Sequence, residues 1–150
     1  MARARNLRDG QTDLKWIWDL EFAVGPGCSN RADDVQLIQH VINTVSAGLG
    51  LTKPDGSVLG YLKRDGLFGP KTKTAIQAYQ DFRKARRVYI KPDGMVSPSS
   101  ATGWTADGKA QFTIVYLNRD HRKIHGRMMD EKDFPEPLRT KALKTPTVEG

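Results

Sequence analysis

A chain of 150 residues with 38% apolar content and a net charge of +7 has material for one modest core, as a single domain or as a small domain with extensions. The positive charge favours an anionic partner, whether cell-wall polymer, nucleic acid or lipid surface, and does not choose among them. The single cysteine, Cys28, excludes an intrachain disulfide, and no run approaches the ~20 apolar residues of a membrane span.

In chain order, residues 1–14 are polar and basic. Arg3, Arg5 and Arg8 precede no apolar run of signal-peptide length, so delivery to a cell wall or into an assembly is expected to follow some route other than a visible export signal. Next, Trp16, Trp18, Leu20 and Phe22 fall on one side of a period-2 template and Ile17, Asp19, Glu21 and Ala23 on the other, a strand pattern ended by Gly25-Pro26-Gly27. Asn30 is placed as an N-cap, with Asp33 at capping-box spacing and Asp34 beside the helix N-terminus. A first helix is predicted over 31–47, its apolar stripe Val35, Ile38, Val41, Ile42 and Val45, stopped by Gly48 and Gly50.

The stretch 48–64 carries its own turn signal, Lys53-Pro54-Asp55-Gly56-Ser57, and reads as an inserted hairpin or Ω-like loop. A tight Asp65-Gly66 turn then feeds a second helix over 70–86, with Pro70 suited to its first turn. Thr72, Ile76, Tyr79 and Arg83 share one face of it, and Ala75, Ala78 and Phe82 widen the buried stripe. Val88-Tyr89-Ile90 is β-prone and leads to a second turn at Asp93-Gly94; residues 97–108 are loop-like, with Trp104 a candidate plug. Over 110–128 a weak alternation competes with Ile114, Leu117, His121, Ile124 and Met128 at 3–4 spacing, and the longer span favours a helix. Residues 141–150 are expected to fray. The Asp-Gly turn recurs, and no longer repeat is visible.

Asp34-Val35 and Ile38-Gln39, then Asp65-Gly66-Leu67-Phe68-Gly69-Pro70 with Thr72, Ala75-Ile76 and Tyr79-Gln80, then Asp93-Gly94-Met95-Val96-Ser97-Pro98 together resemble the peptidoglycan-binding-like domain family. The departures are Ser97, where that family usually has Gly, the lack of a clear third helix after that turn, and the long stretch from Gly48 to Arg64 between the first two helices. The resemblance implies a mainly α, three-helix module over 30–104, an N-terminal extension over 1–29 holding the aromatic strand, and a C-terminal extension over 105–150 that is helical and then loose. It implies non-catalytic binding of peptidoglycan, its stem peptide or a related anionic wall polymer.

Within the motif, Asp65, Gly66, Gly69, Asp93 and Gly94 shape turns, and Phe68, Ile76 and Tyr79 belong to a core. Gln39 and Gln80 are expected to pair with loop backbone, because a buried amide must find partners. The ligand face is sought among aromatics and cations nearby: Tyr61 and Tyr89, and the basic run Arg83, Lys84, Arg87 and Lys91. Rings stack on sugar faces and Arg forks carboxylates. The competing reading of the basic run is a solvated helix end whose cations meet the dipole.

Other chemistries find less support. His121 and His125 have half the spacing of a zinc site, but Arg122 stands where a metalloprotease motif needs Glu, and neighbouring cations repel a dication. No cofactor is expected. No carboxylate pair, nucleophile elbow or phosphate loop marks an enzyme, and aromatics do not interleave with cations as on nucleic-acid platforms. The alternative function is a structural or adaptor part of a phage or secretion assembly, with contacts through residues 16–22 or the C-terminal extension.

Overall fold

The computed structural model describes residues 2–7, 14, 16–86, 90, 93–100, 103, 105, 112–129 and 133–135, and the backbone of 143–147. Its elements in order are β1 (Arg3–Asn6), β2 (Trp16–Asp19), α1 (Ala32–Leu49), α2 (Pro70–Ala85), α3 (Thr113–His125) and β3 (Leu143–Thr147). The protein is mainly helical with a small sheet in the order β2-β1-β3. β1 pairs antiparallel with β2, setting Ala4 opposite Trp18, and parallel with β3. The strand at 143–147 corrects the expectation of a frayed end. The free edge of β1 offers unpaired backbone groups to any extended segment, and Leu-Lys-Thr-Pro-Thr carries no alternation to announce the pairing. The β1–β3 register is irregular, and Pro146, which has no N–H to donate, lies within it.

α1 is the central element. Its apolar stripe is fully buried at Val35, Leu37, Ile38, Val41, Ile42 and Val45. Gln36, Gln39 and Asn43 are buried as well, at helical spacing. These amides serve chain that has no secondary structure of its own. Gln36 Nε2 donates to the Arg64 carbonyl at 2.9 Å. Asn43 closes a reciprocal pair on Leu62, donating to its carbonyl at 2.9 Å and accepting its N–H at 2.8 Å.

Gln39 grips the first Asp-Gly turn. Its Oε1 accepts the Gly66 N–H at 3.0 Å, and its Nε2 reaches Asp65 Oδ1, the Leu67 carbonyl and Thr72 Oγ1. Gln80 treats the second turn the same way. Its Oε1 accepts the Gly94 N–H at 2.8 Å, and its Nε2 reaches Asp93 Oδ1, the Met95 carbonyl and Thr113 Oγ1. In both turns the Asp Oδ1 also accepts the N–H two residues on, at 3.0 Å. Gln and Thr stand 33 residues apart in each case. The recurrence read as a bare turn is therefore a complete unit of helix amide, Asp-Gly turn and following-helix Thr, used once between α1 and α2 and again between α2 and α3. Gly66 takes φ +74°, and a Cβ there would stand 2.8 Å from the Ala32 carbonyl oxygen. Both requirements admit only glycine.

Leu14, Ile17, Trp18, Leu20 and Val24 belong to the same core as Ile38, Ile76, Tyr79, Ile114 and Leu117, so packing is continuous across the positions expected to bound the module. Asn118 of α3 clamps Trp18 as Asn43 clamps Leu62, accepting its N–H and donating to its carbonyl, each at 2.9 Å. The Trp18 indole N–H donates to the Met129 carbonyl at 2.7 Å. Over residues 17–20 both sides of the strand pattern are buried, since Asp19 is enclosed too, taking Arg5 Nε at 2.7 Å and the Leu20 and Ser99 N–H groups.

The capping expectations are corrected. Arg31 stands at the N-cap without a side-chain capping bond. Asn30, at φ +49°, instead closes the preceding turn through Gly25 and Cys28. Asp33 accepts the Ala2 N–H at 2.8 Å and Asp34 the Glu21 and Phe22 N–H groups at 3.1 Å. Both carboxylates stand in the first turn of α1, as expected, and they also accept N–H groups of nearby N-terminal backbone that has no ladder partner for them.

Because each glutamine satisfies a turn's glycine N–H and a carbonyl, Gln39→Leu and Gln80→Leu should each cost about 1–3 kcal/mol. The losses should add in the double variant, as the two sites share no partner. Urea unfolding midpoints check this; unchanged midpoints in both single variants contradict it.

Candidate functional site

The inserted stretch is a hairpin. Thr52 and Val58 form an antiparallel bridge, the Lys53 N–H donates to the Ser57 carbonyl at 2.8 Å, and the Gly56 N–H returns to the Lys53 carbonyl at 2.9 Å. Asp55 Oδ1 locks the tip by accepting the Ser57 N–H and hydroxyl. These hydrogen bonds hold the Asp55 carboxyl below its ordinary range, the Ser57 hydroxyl contributing most. At its base, Leu51 is buried and Leu62 is held by Asn43. The hairpin thus leaves α1 and returns to it on a fixed footing, and its outer part faces solvent.

Three grooves adjoin it. One, of about 290 Å³, lies between the returning strand and the start of α2, lined by Leu59, Tyr61 and Leu62 on one side and Pro70, Lys71 and Thr74 on the other, with Lys53 at its edge. A second, of about 400 Å³, lies between the outgoing strand and the middle of α2, and Lys53 and Thr74 line it too. The third, of about 290 Å³, lies over the end of α1 and again includes Leu59 and Tyr61. Tyr61 is 75% exposed and Val58 81%. Such side chains gain nothing for the folded chain's own core, and an exposed ring in a groove is the feature expected of a ligand contact.

The other residues expected on the ligand face do not gather here. Arg87, Tyr89 and Lys91, and Trp104, lie outside the described residues. Arg83 points inward: its guanidinium forks the Asp120 carboxylate through Nε at 3.0 Å and a second, shorter contact from its terminal nitrogen. Tyr79 donates its hydroxyl to the same carboxylate at 2.5 Å. Burial first, then the Asp120 charge, push the Tyr79 phenol well above its ordinary range. This trio joins α2 to α3 and gives Arg83, expected on the ligand face, a partner inside the fold. Lys84 is exposed in the last turn of α2, where it meets the helix dipole. Arg86 lies over the Phe82 ring, 3.5 Å from its centre. Lys53, part of the hairpin's turn signal, and Lys71, in the first turn of α2, line the groove, and the sequence reading singled out neither as a ligand contact.

The chain's three histidines converge elsewhere. His40 of α1 and His121 and His125 of α3 form a row with ring centres 6.2 and 5.1 Å apart. The Arg64 guanidinium donates to His40 Nδ1 at 3.0 Å, which fixes His40 as neutral with its proton on Nε2. His121 is 2% exposed, and its Nδ1 has no hydrogen-bond partner among the described residues. Burial, then the Arg64 charge, lower His40 to about 4; burial, then the neighbouring histidines, lower His121 to about 4. Among the described residues, no group of three His, Cys, Asp or Glu is disposed to hold a metal ion, and no helix is long and apolar enough to cross a membrane.

Comparisons with family models, with curated proteins and with solved structures found no match to this chain.

His40 and His121 make stability depend on pH. With folded values near 4 and an unfolded value near 6.5, the neutral histidines contribute fully above pH ~6.5, and that contribution declines as pH falls towards about 4. Asp34 has the opposite sign. Burial raises its carboxyl to about 6 against the opposing Phe22 N–H, so its contribution is full at acid pH and lost as pH rises through about 6. In an Asp34→Asn background, unfolding free energy should fall on going from pH 7 to pH 4. His121→Phe should flatten that slope by up to about 3 kcal/mol. Equal slopes with and without His121 contradict this reading.

Proposed function

We propose that this protein binds peptidoglycan or a related carboxylate-bearing wall polymer without cleaving it, and carries itself or a partner to the wall. The observation that carries this reading is the exposed Tyr61 ring set in a groove with Lys53 and Lys71, on a hairpin anchored beside the Asp65-Gly66 turn. Murein presents apolar sugar faces and stem-peptide carboxylates, the two chemistries that a tyrosine ring and nearby ammonium groups meet. The sequence resemblance to peptidoglycan-binding-like domains supports the same reading, as do α1 and α2 joined by an amide-gripped Asp-Gly turn; we take α3, beyond the expected boundary at 104, as the third helix of that module. The hairpin is then an addition that moves the ligand face away from the end of α2. The alternative, an assembly component docking through the aromatic strand, loses surface, because Ile17, Trp18 and Leu20 are buried and Trp18 is hydrogen-bonded inside.

Purified protein should co-sediment with insoluble murein and leave the turbidity of a murein suspension unchanged. Tyr61→Ala should raise the dissociation constant about fivefold or more, a loss of roughly 1 kcal/mol, with an unaltered melting temperature. Exchanging Lys53 and Lys71 for Gln should weaken binding at low salt and flatten its salt dependence, since exposed charges are screened beyond ~8 Å at physiological ionic strength. Absence of co-sedimentation at low salt overturns the proposal, and clearing of the suspension overturns its non-catalytic half.

A further inference from the structure

We infer that the three grooves act as one binding track that holds an extended glycan over more than one repeating unit, with Tyr61 and Lys53 at the junctions. This rests on the proposed wall-polymer function and adds the ligand's length and path to it.

The first support is continuity. Tyr61 lines both the groove over the end of α1 and the groove at the start of α2. Lys53 and Thr74 line both that groove and the one along the middle of α2. Gly50 and Leu51 line both the groove over the end of α1 and the one along the middle of α2, so the three grooves adjoin one another around the hairpin, with a tyrosine ring at one boundary and a lysine at another. The second support is size. Pockets for small ligands measure roughly 300–1,000 Å³. Grooves of about 290, 290 and 400 Å³ each stand at or near the bottom of that range and are open to solvent. A ligand confined to one groove buries little of itself, whereas a chain crossing a junction engages a second groove without a second loss of translational freedom. The third support is the chemistry of the junctions. A ring at one junction offers a flat apolar face to a sugar. An ammonium at the next, with Lys71 between them, meets a carboxylate carried on a side branch. A polymer of alternating sugar rings and acidic side branches presents those groups in that order, and a compact anion does not. The hairpin's tip lock and clamped base hold both junction residues in fixed relation before ligand arrives, so length is recognised without a folding cost.

Titration calorimetry with soluble murein fragments of one, two and three disaccharide-peptide units tests this, alongside co-sedimentation with whole murein. The dissociation constant should fall about tenfold or more from one unit to two. Gln77→Ala, at a residue that lines the groove along the middle of α2 and neither of the other two, should remove most of that gain and leave the one-unit fragment nearly unaffected, while Tyr61→Ala should weaken every length. Equal constants for all lengths, or a Gln77→Ala loss of the same factor at every length, overturn the track. If whole murein still co-sediments in that case, the proposed function stands with a single-unit site. If neither fragments nor whole murein bind, both fall.

Discussion

Buried residues outside the helices, such as Trp18 on the edge strand β2 and Leu62, Gly66 and Gly94 in connections, carry backbone groups that must still be hydrogen-bonded. Helix-borne amides meet that demand. Gln36, Gln39 and Asn43 hold the connection from Leu62 to Leu67 against α1, Gln80 holds the turn at Asp93, and Asn118 holds Trp18. Without them each connection would expose its backbone to water and leave the helices unjoined, or bury it unpaired at a cost of about 1–3 kcal/mol for each group. The apolar core supplies the larger gross stabilisation, but the amides decide which path each connection takes over it.

The same demand governs the buried charges. Asp19 and Asp34 answer N–H groups at 99, 20, 21 and 22, and Asp33 answers that of Ala2. Asp120 takes the fork of Arg83 and the hydroxyl of Tyr79. Burial raises the Asp19 carboxyl and the N–H donors and Arg5 pull it back, so desolvation and hydrogen bonding oppose each other at one atom group. One consequence concerns the surface. Part of the basic charge is spent internally, at Arg5 and Arg83, and the cations that line the grooves are the isolated lysines of the hairpin and of the first turn of α2.

The hairpin gains its rigidity from this arrangement. Asn43 grips Leu62, the residue after Tyr61, and Gln39 grips the turn that follows. A loop fixed so closely at its return end holds the backbone of its exposed tyrosine in place, which lowers the ordering cost of a binding role. The proposed wall-binding role therefore draws on the same amides that hold the fold.

Much of this was legible in the sequence. Periodicity located α1 and α2 within one or two residues, the 3–4 spacing from Ile114 identified α3, and the Asp-Gly and Pro-Asp-Gly signals placed both turns and the hairpin. The buried pairing of Gln39 and Gln80 with loop backbone followed from their place on apolar helix faces. Tyr61 was marked as a candidate contact, and the grooves beside it are consistent with that. What stayed hidden depends on groups distant in the chain. Nothing near Asp33, Asp34 or Asn30 shows that N-terminal backbone will also bind the two carboxylates or that the Gly25 turn will claim the asparagine from the helix end. Asp120 does not announce itself as the partner of Arg83, 37 residues away. β3 pairs through backbone, which every sequence possesses, so no side-chain pattern marks it. Lys53 and Lys71 become neighbours of one groove only when the hairpin lies against α2. Local chemistry determined the helices, the turns and the buried amides. Tertiary structure decided which polar groups meet, because a hydrogen bond or ion pair needs two partners in space and the sequence lists only one at a time.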